Sequence, residues 1–307
     1  MTAAVEVEPL TTRCGEHLAV DDVSLAVEAG EIFGILGPNG AGRTTFGGCA
    51  QGLRRPDAAR FWLLGLDLDR DRGAFRLRVG CQLQESALPD QLKVWEALDL
   101  FASLSSGRTD WRGLLERWGL ADKAKASFAS LSGGQRQRLF VALALVNEPE
   151  VVFLDEMTQG LDPSARRVTW DLIRQMRDQG MTVVLVTHYM DEAEQLCDRL
   201  AVVRDGHIVA TGTPQELVAR AGGRVRVQFS TDAADLSWLA DVEHVSGVTT
   251  RGRAVEVEGA GPVLALVASA LVAHGIVPDD LRAVHASLED AFLELTGAAA
   301  TPRSCDE

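Results

Sequence analysis

The spacing of apolar and polar residues divides this chain into stretches of different rhythm. The first 35 residues read as strands, and "AVDDVSLAVEAGEIFGIL" closes on a continuous apolar run, Ile32 to Leu36, that leads into a glycine-rich stretch. Residues 90–130 switch to helical spacing. Val94, Ala97, Leu98, Phe101 and Leu104 share one face there, and Leu114, Leu115 and Trp118 continue in a second segment. "VVFLD" (151–155) and "TVVLVT" (182–187) are short unbroken apolar runs, the pattern of strands buried on both faces. Between them, Asp162 is a candidate N-cap with Pro163 at the first helical position, and Gly180 ends the helix. Strand, helix, strand in this order predicts a parallel α/β core.

"TPQEL" opens another helix, with Thr213 and Glu216 spaced as a capping box. "RAGGR" (220–224) then breaks the pattern and marks an expected domain boundary. Beyond it "RVRVQF" reads as a strand, 234–240 as a short helix, and 242–249 and 253–258 as strands. A helix at 261–274, a strand near 282–286 and a last helix from Ser287, with Asp290 three residues on, complete a small α+β domain. The expected division is therefore 1–220, then 224–297, with 298–307 as a disordered tail.

Composition narrows the function classes. At 307 residues, 46% hydrophobic and 24% charged, the chain has the profile of a globular protein long enough for two domains. A net charge of -14 argues against a free-standing nucleic-acid binder and against a polybasic membrane anchor. Its five cysteines (14, 49, 81, 197, 305) are odd in number, scattered and without metal-ligand spacing, so they read as reduced thiols. "MTAAVEVEPL" carries acids where a signal peptide needs an apolar stretch, and the longest apolar run, 263–273, is too short to span a bilayer. A membrane role is thus expected to come through a partner.

Two motifs carry chemistry. "GPNGAGRTT" (37–45) follows a strand and has the glycine spacing of the phosphate-binding loop G-x-x-x-x-G-K-[ST]. In such a loop Gly37, Gly40 and Gly42 let the backbone turn so that its N–H groups wrap phosphates. Pro38, Asn39 and Ala41 fill the turn, Thr44 offers a hydroxyl to magnesium, and Thr45 follows. The positive end of the next helix points at the same phosphates. "LSGGQRQRL" (131–139) places Ser132, Gly133, Gly134 and Gln135 at the start of an amphipathic helix, a second anion site of the same kind.

Here the sequence resembles a known family. The pentapeptide opening "LSGGQRQRL" (131–139) resembles the signature of ATP-binding-cassette (ABC) ATPases, and the family's other motifs stand in order. "VVFLDE" looks like the Walker B strand, which implies Asp155 on magnesium and Glu156 as general base. "GLDP" resembles the D-loop, with Asp162 near nucleotide. His188 matches the switch histidine at the γ-phosphate, and Gln84 matches the glutamine that senses magnesium and the transport partner. The resemblance covers residues 5–220 and implies a P-loop cassette with a helical subdomain at about 88–135, ATP and Mg2+ as cofactors, and a homodimer that sandwiches ATP. It also implies a membrane-spanning permease subunit as partner and a place at the cytoplasmic face of the membrane. "SLEDAFLELTG" (287–297) and "LQESALPDQLKVWEALDLFASL" resemble the ATPase subunits of daunorubicin-resistance-type exporters, which implies efflux of a small amphiphilic molecule or drug.

Four departures from the family pattern surround the nucleotide. Arg43 stands where the loop needs lysine, and a planar fork is no simple replacement for a compact ammonium. Cys14 stands where relatives stack an aromatic ring on adenine. Gly47 and Gly48 weaken the helix after the loop, and Ala59 replaces a glycine expected at a turn. Two readings follow, a slower exporter ATPase and a nucleotide-binding regulatory module with little hydrolysis. A third, a soluble ABC protein of ribosomes or DNA repair, fits poorly with a single cassette and an acidic chain.

Overall fold

The computed structural model describes residues 3–14, 17–38, 40–54, 57–83, 86–104, 110–221, 225–233 and 235–297. Two long strands, β1 (Ala3–Cys14) and β2 (His17–Glu28), come first, and after β3 (Ile32–Leu36) the glycine stretch leads into α1 (Arg43–Ala50). β4 (Ala58–Leu63) and β5 (Leu66–Asp67) form a hairpin, and α2 (Arg72–Arg78) runs into β6 (Val79–Gln82). Next come α3 (Val94–Leu104), α4 (Trp111–Arg117) and α5 (Gly133–Ala144). β7 (Val151–Asp155), α6 (Pro163–Asp178), β8 (Thr182–Thr187), α7 (Met190–Leu196), β9 (Arg199–Arg204) and β10 (His207–Gly212) follow.

These elements make two sheets. One is antiparallel, in the order β2-β1-β4-β5, and the other runs β10-β9-β3-β8-β7-β6. Within the second, β6, β7, β8, β3 and β9 are parallel neighbours and β10 pairs antiparallel at the edge. Every residue of β3, β7 and β8 is buried, which is why these strands read as unbroken apolar runs. Val7, Leu10, Val23 and Val27 of the antiparallel sheet share one apolar cluster with Phe33, Ile35, Phe153, Val184 and Val186 of the parallel one. Phe46, Cys49 and Ala50 of α1 belong to the same cluster, so the helix after the glycine loop is held by packing rather than by intrinsic propensity.

The cap expected at the start of α6 is present. Asp162 accepts from the N–H groups of Ser164 and Ala165, with Pro163 opening α6. The apolar stripe expected along α3 is shorter than its spacing suggests. Val94, Ala97 and Leu98 are buried, but Phe101 and Leu104 are exposed, because the buried face drifts onto Ala102. Ala59 makes no turn. It lies inside β4, and the chain reverses after that strand at Leu64 (φ 53°) and Gly65 (φ 76°).

The chain divides into two compact units, Met1–Thr213 and Pro214–Glu307. That division falls before α8 (Pro214–Arg220), earlier than the glycine break at 220–224, because α8 lies against the last helix of the second unit. The second unit continues with β11 (Val225–Ser230), β12 (Val245–Arg251), β13 (Ala254–Gly259), α9 (Val263–Ala273), β14 (Arg282–His285) and α10 (Leu288–Thr296). Its sheet is antiparallel, ordered β12-β13-β11-β14, and α9 packs Val263, Val267 and Leu271 with the inward residues of β11 and β13. The segment expected as a helix at 234–240 is a 3₁₀ turn, Ser237–Asp241, and β12 begins only at Val245. Ser287 and Asp290 form the expected capping box of α10. The tail 298–307 lies outside the described residues.

Glycines in this fold do two different jobs, which substitution separates. A Cβ on Gly48 in α1 would meet Arg54 Cβ at an ordinary 3.8 Å, so Gly48→Ala is expected to stabilise the protein by about 1 kcal/mol through helix propensity. A Cβ on Gly80 in β6 would fall 2.1 Å from the Ala144 carbonyl, so Gly80→Ala is expected to destabilise by roughly 1–3 kcal/mol. Urea unfolding midpoints check both. A lowered midpoint for Gly48→Ala would mean that this glycine is needed for packing.

Candidate functional site

The parallel sheet brings three strand ends to one edge. β3 ends at Leu36, β7 at Asp155 and β8 at Thr187. Leu36 is paired with Thr187, and Asp155 with Val186. Open α/β sheets bind ligands outside this edge. The residue following each strand therefore starts a loop in the same place.

The loop after β3 approaches backbone too closely for side chains. A Cβ on Gly37 would fall 2.5 Å from the Val203 carbonyl, and one on Gly42 would fall 2.1 Å from the Ala19 carbonyl. Gly40 (φ 83°) and Gly42 (φ 95°) take left-handed backbone. Ala41 is buried and its N–H donates to the Pro38 carbonyl (3.1 Å). Gly42 is the N-cap of α1 and supplies no side-chain cap. Thr45 sits one residue further along α1, partly buried. Asn39 and the side chains of Thr44 and Cys14 lie outside the described residues.

Arg43 is the unexpected element. Its side chain turns from α1 to Glu156, where Nη2 donates to Oε1 at 3.2 Å, with both side chains about 95% buried (4% and 5% exposed). The same Oε1 lies 3.0 Å from Nδ1 of His188, one residue beyond β8. Glu156 is held in left-handed backbone (φ 47°), and its N–H donates to the Val186 carbonyl (2.9 Å). That conformation is unusual for a residue with a side chain and aims the carboxylate back over the sheet edge. Burial lowers the Arg43 pKa from its ordinary value, opposed by the charges of Glu156 and Asp155.

Asp155 has the chemistry of a cation ligand. Burial, and then the charge of Glu156, push its carboxyl up to about 6 against the pull of Arg43. Its Oδ1 is buried with no hydrogen-bond partner among the described residues. A divalent cation would satisfy that oxygen and favour the ionised form, so this position fits Mg2+. Among the described residues no group of three or more His, Cys, Asp and Glu forms a metal cage.

The structure brings Arg43, Asp155, Glu156 and His188 together. Ser132 to Gln135 form a separate exposed helix start. There the Ser132 Oγ accepts from the Gln135 N–H (3.3 Å), and Gln135 Oε1 accepts from the Ser132 N–H (3.0 Å). Gly134 sits against the start of α6, where its Cβ would meet that of Ala165 at 3.3 Å. Gly133 has open space around it, and Asp162 is engaged in capping α6.

Sequence reasoning passed over two residues. Gln84 lies outside the described residues, whereas Gln82, two positions earlier, is buried on β6 and accepts from the Asp155 N–H through Oε1 (3.2 Å). Glu192 on α7 is fully buried and accepts from the Thr158 hydroxyl (2.8 Å) and the Trp170 indole (3.3 Å). It ties the loop after Glu156 to the helix after His188. In the sequence it is one acid among several in "MDEAEQL", and nothing in its spacing marks it as buried.

Comparison with known proteins agrees with this geometry. The family model described as "ABC transporter" matches residues 20–159. The daunorubicin resistance ATP-binding protein DrrA3 of Streptomyces coeruleorubidus is 39% identical over 96% of each chain. A Nod factor export ATP-binding protein I of Ralstonia nicotianae is 38% identical over 96% of this chain and 94% of its own. Among solved structures, an ATP-binding subunit of an ABC transporter superposes with a TM-score of 0.65 at 26% identity, covering 72% of this chain and 94% of its own. A dimeric ATP-binding cassette bound to ADP and phosphate gives 0.62 at 25% identity, covering 68% and 98%. With a glycine cradle, a cation-seeking aspartate and a carboxylate–imidazole pair at one sheet edge, and relatives alike over nearly their whole length, this chain belongs to the ATP-binding proteins of ABC transporters.

Proposed function

We propose that this chain is the ATP-binding and ATP-hydrolysing subunit of an exporter, acting on a small amphiphilic molecule through a separate membrane-spanning permease at the cytoplasmic face of the membrane. The export reading rests on the two relatives named for daunorubicin resistance and Nod factor export. Among the described residues no helix is long and apolar enough to cross a membrane, which fits a permease on another chain.

The observation that carries the chemistry is the Glu156 carboxylate at the sheet edge, 3.0 Å from His188 and next to Asp155 with its open oxygen. Bound MgATP supplies the phosphoanhydride that is split and a divalent charge that offsets the phosphates. Backbone N–H groups of the glycine loop would hold the phosphates, and Thr44 and Asp155 would hold the metal. Glu156 orients a water and takes its proton, and His188 holds the carboxylate in place on one side. Gln84 would sense the metal. Ser132 to Gln135, with Asp162 nearby, would close over the nucleotide of a second copy, as the dimeric cassette among the structural neighbours suggests. Every proposed nucleotide group precedes residue 190, so the second unit is assigned an accessory role.

A second reading, a regulatory module that holds nucleotide with little turnover, draws on one observation. Arg43 is committed to Glu156, so the cation of the loop and the general base occupy each other.

Turnover by the purified chain is the deciding measurement. Arg43→Lys is expected to raise ATPase turnover several-fold, because an ammonium places its charge between phosphates more closely than a guanidinium does. Equal rates would remove Arg43 as the limit on the site.

Glu156→Gln is expected to abolish turnover and to trap a dimer with ATP and Mg2+, read by size exclusion. A monomer that nonetheless binds nucleotide would rule out the sandwich.

A chain ending at Thr213 is expected to bind fluorescent ATP about as well as the full protein. If affinity collapses while circular dichroism reports a folded chain, the second unit contributes to the nucleotide site.

A further inference from the structure

We infer that Glu156 sets nucleotide affinity as well as serving as base, because its carboxylate competes with the nucleotide's phosphates for Arg43. The inference rests on the nucleotide-site reading above and adds a ground-state role to Glu156.

The geometry gives Arg43 a single direction. Its stem runs along the first glycine of the loop, since a Cβ on Gly37 would lie 3.2 Å from Arg43 Cδ. From there Nη2 ends on Glu156 Oε1 at 3.2 Å, with both side chains withdrawn from water. Water neither screens such a pair nor takes over its hydrogen bonds cheaply, so pulling it apart is costly. A phosphate seated in the glycine loop would call on the same guanidinium, since Arg43 occupies the position of the loop's cation.

The charges in the site favour exchange over sharing. Asp155 and Glu156 place two carboxyl groups beside one guanidinium. A polyphosphate set against Glu156 would add further anionic charge at low dielectric. When phosphate draws Arg43 away, Glu156 keeps His188 at 3.0 Å and becomes available to water. Nucleotide binding would thus unmask the base that acts on it.

The test is a double-mutant cycle on Arg43→Met and Glu156→Gln, read in two ways. Thermal unfolding without nucleotide is expected to show the substitutions coupled, each alone costing more stability than its increment in the double variant. Titration with fluorescent ADP and Mg2+ avoids the hydrolysis step. Glu156→Gln is expected to tighten ADP binding about ten-fold when Arg43 is present, the size of a modest charge-pair coupling, and to change it little in the Arg43→Met background. An equal effect in both backgrounds, or weaker binding when Glu156 is neutralised, overturns the competition while leaving the nucleotide site standing. Unfolding coupling with no ADP binding in any of the four proteins would overturn the nucleotide reading itself, and the competition with it.

Discussion

Parallel pairing of β3 with β8, and of β8 with β7, is the constraint from which the site follows. It sets Leu36 opposite Thr187 and Asp155 opposite Val186, so three loops leave the sheet side by side. Burial on both faces of these strands fixes that register, because a slip of one residue would carry every side chain to the opposite face. The antiparallel β1–β2 sheet covers one face and packs Val7, Leu10 and Val27 into the cluster that holds Phe153 and Val186. α1 is wedged into the same cluster, which lets Gly47 and Gly48 remain helical despite their poor propensity. The glycine loop is thus stretched between a strand and a helix that are each fixed by the core.

What the sequence revealed follows from this. Largely apolar runs at 151–155 and 182–187 correspond to strands with those bounds, since burial on both sides favours apolar side chains along most of their length. The caps at Asp162 and Ser287 are legible because side-chain oxygens at helix starts have one common use. Legibility failed where context decides. Phe101 and Leu104 have helical spacing, yet only packing partners determine which turns of a helix stay covered. The first-unit boundary was placed at a glycine pair, whereas the contact of α8 with α10, remote in sequence, moves it forward.

The site itself was half legible. Glycines, Asp155, Glu156 and His188 stand out because a strand followed by a turn or an acid has few bland explanations once several recur in order. Gln82 and Glu192 do not stand out, since their importance comes from burial against Asp155, Thr158 and Trp170. The direction of the Arg43 side chain was beyond any spacing rule. It depends on the left-handed backbone at Glu156, which swings that carboxylate toward α1.

That swing makes the replacement of lysine by arginine more than a change of shape. A lysine at position 43 would have three donors on one nitrogen and could serve one oxygen cluster at close range. The guanidinium spreads its donors over a plane, and in this fold one edge of the plane already meets a buried carboxylate. The cation of the loop therefore begins neutralised, while Asp155, one residue before Glu156, keeps an oxygen without a partner among the described residues. On the proposed reading, an incoming nucleotide meets an anionic floor and no spare positive charge from Arg43. A divalent cation at Asp155 would then do more than complete a ligand set. It would supply the positive charge that lets phosphate, Asp155 and Glu156 share one small buried edge.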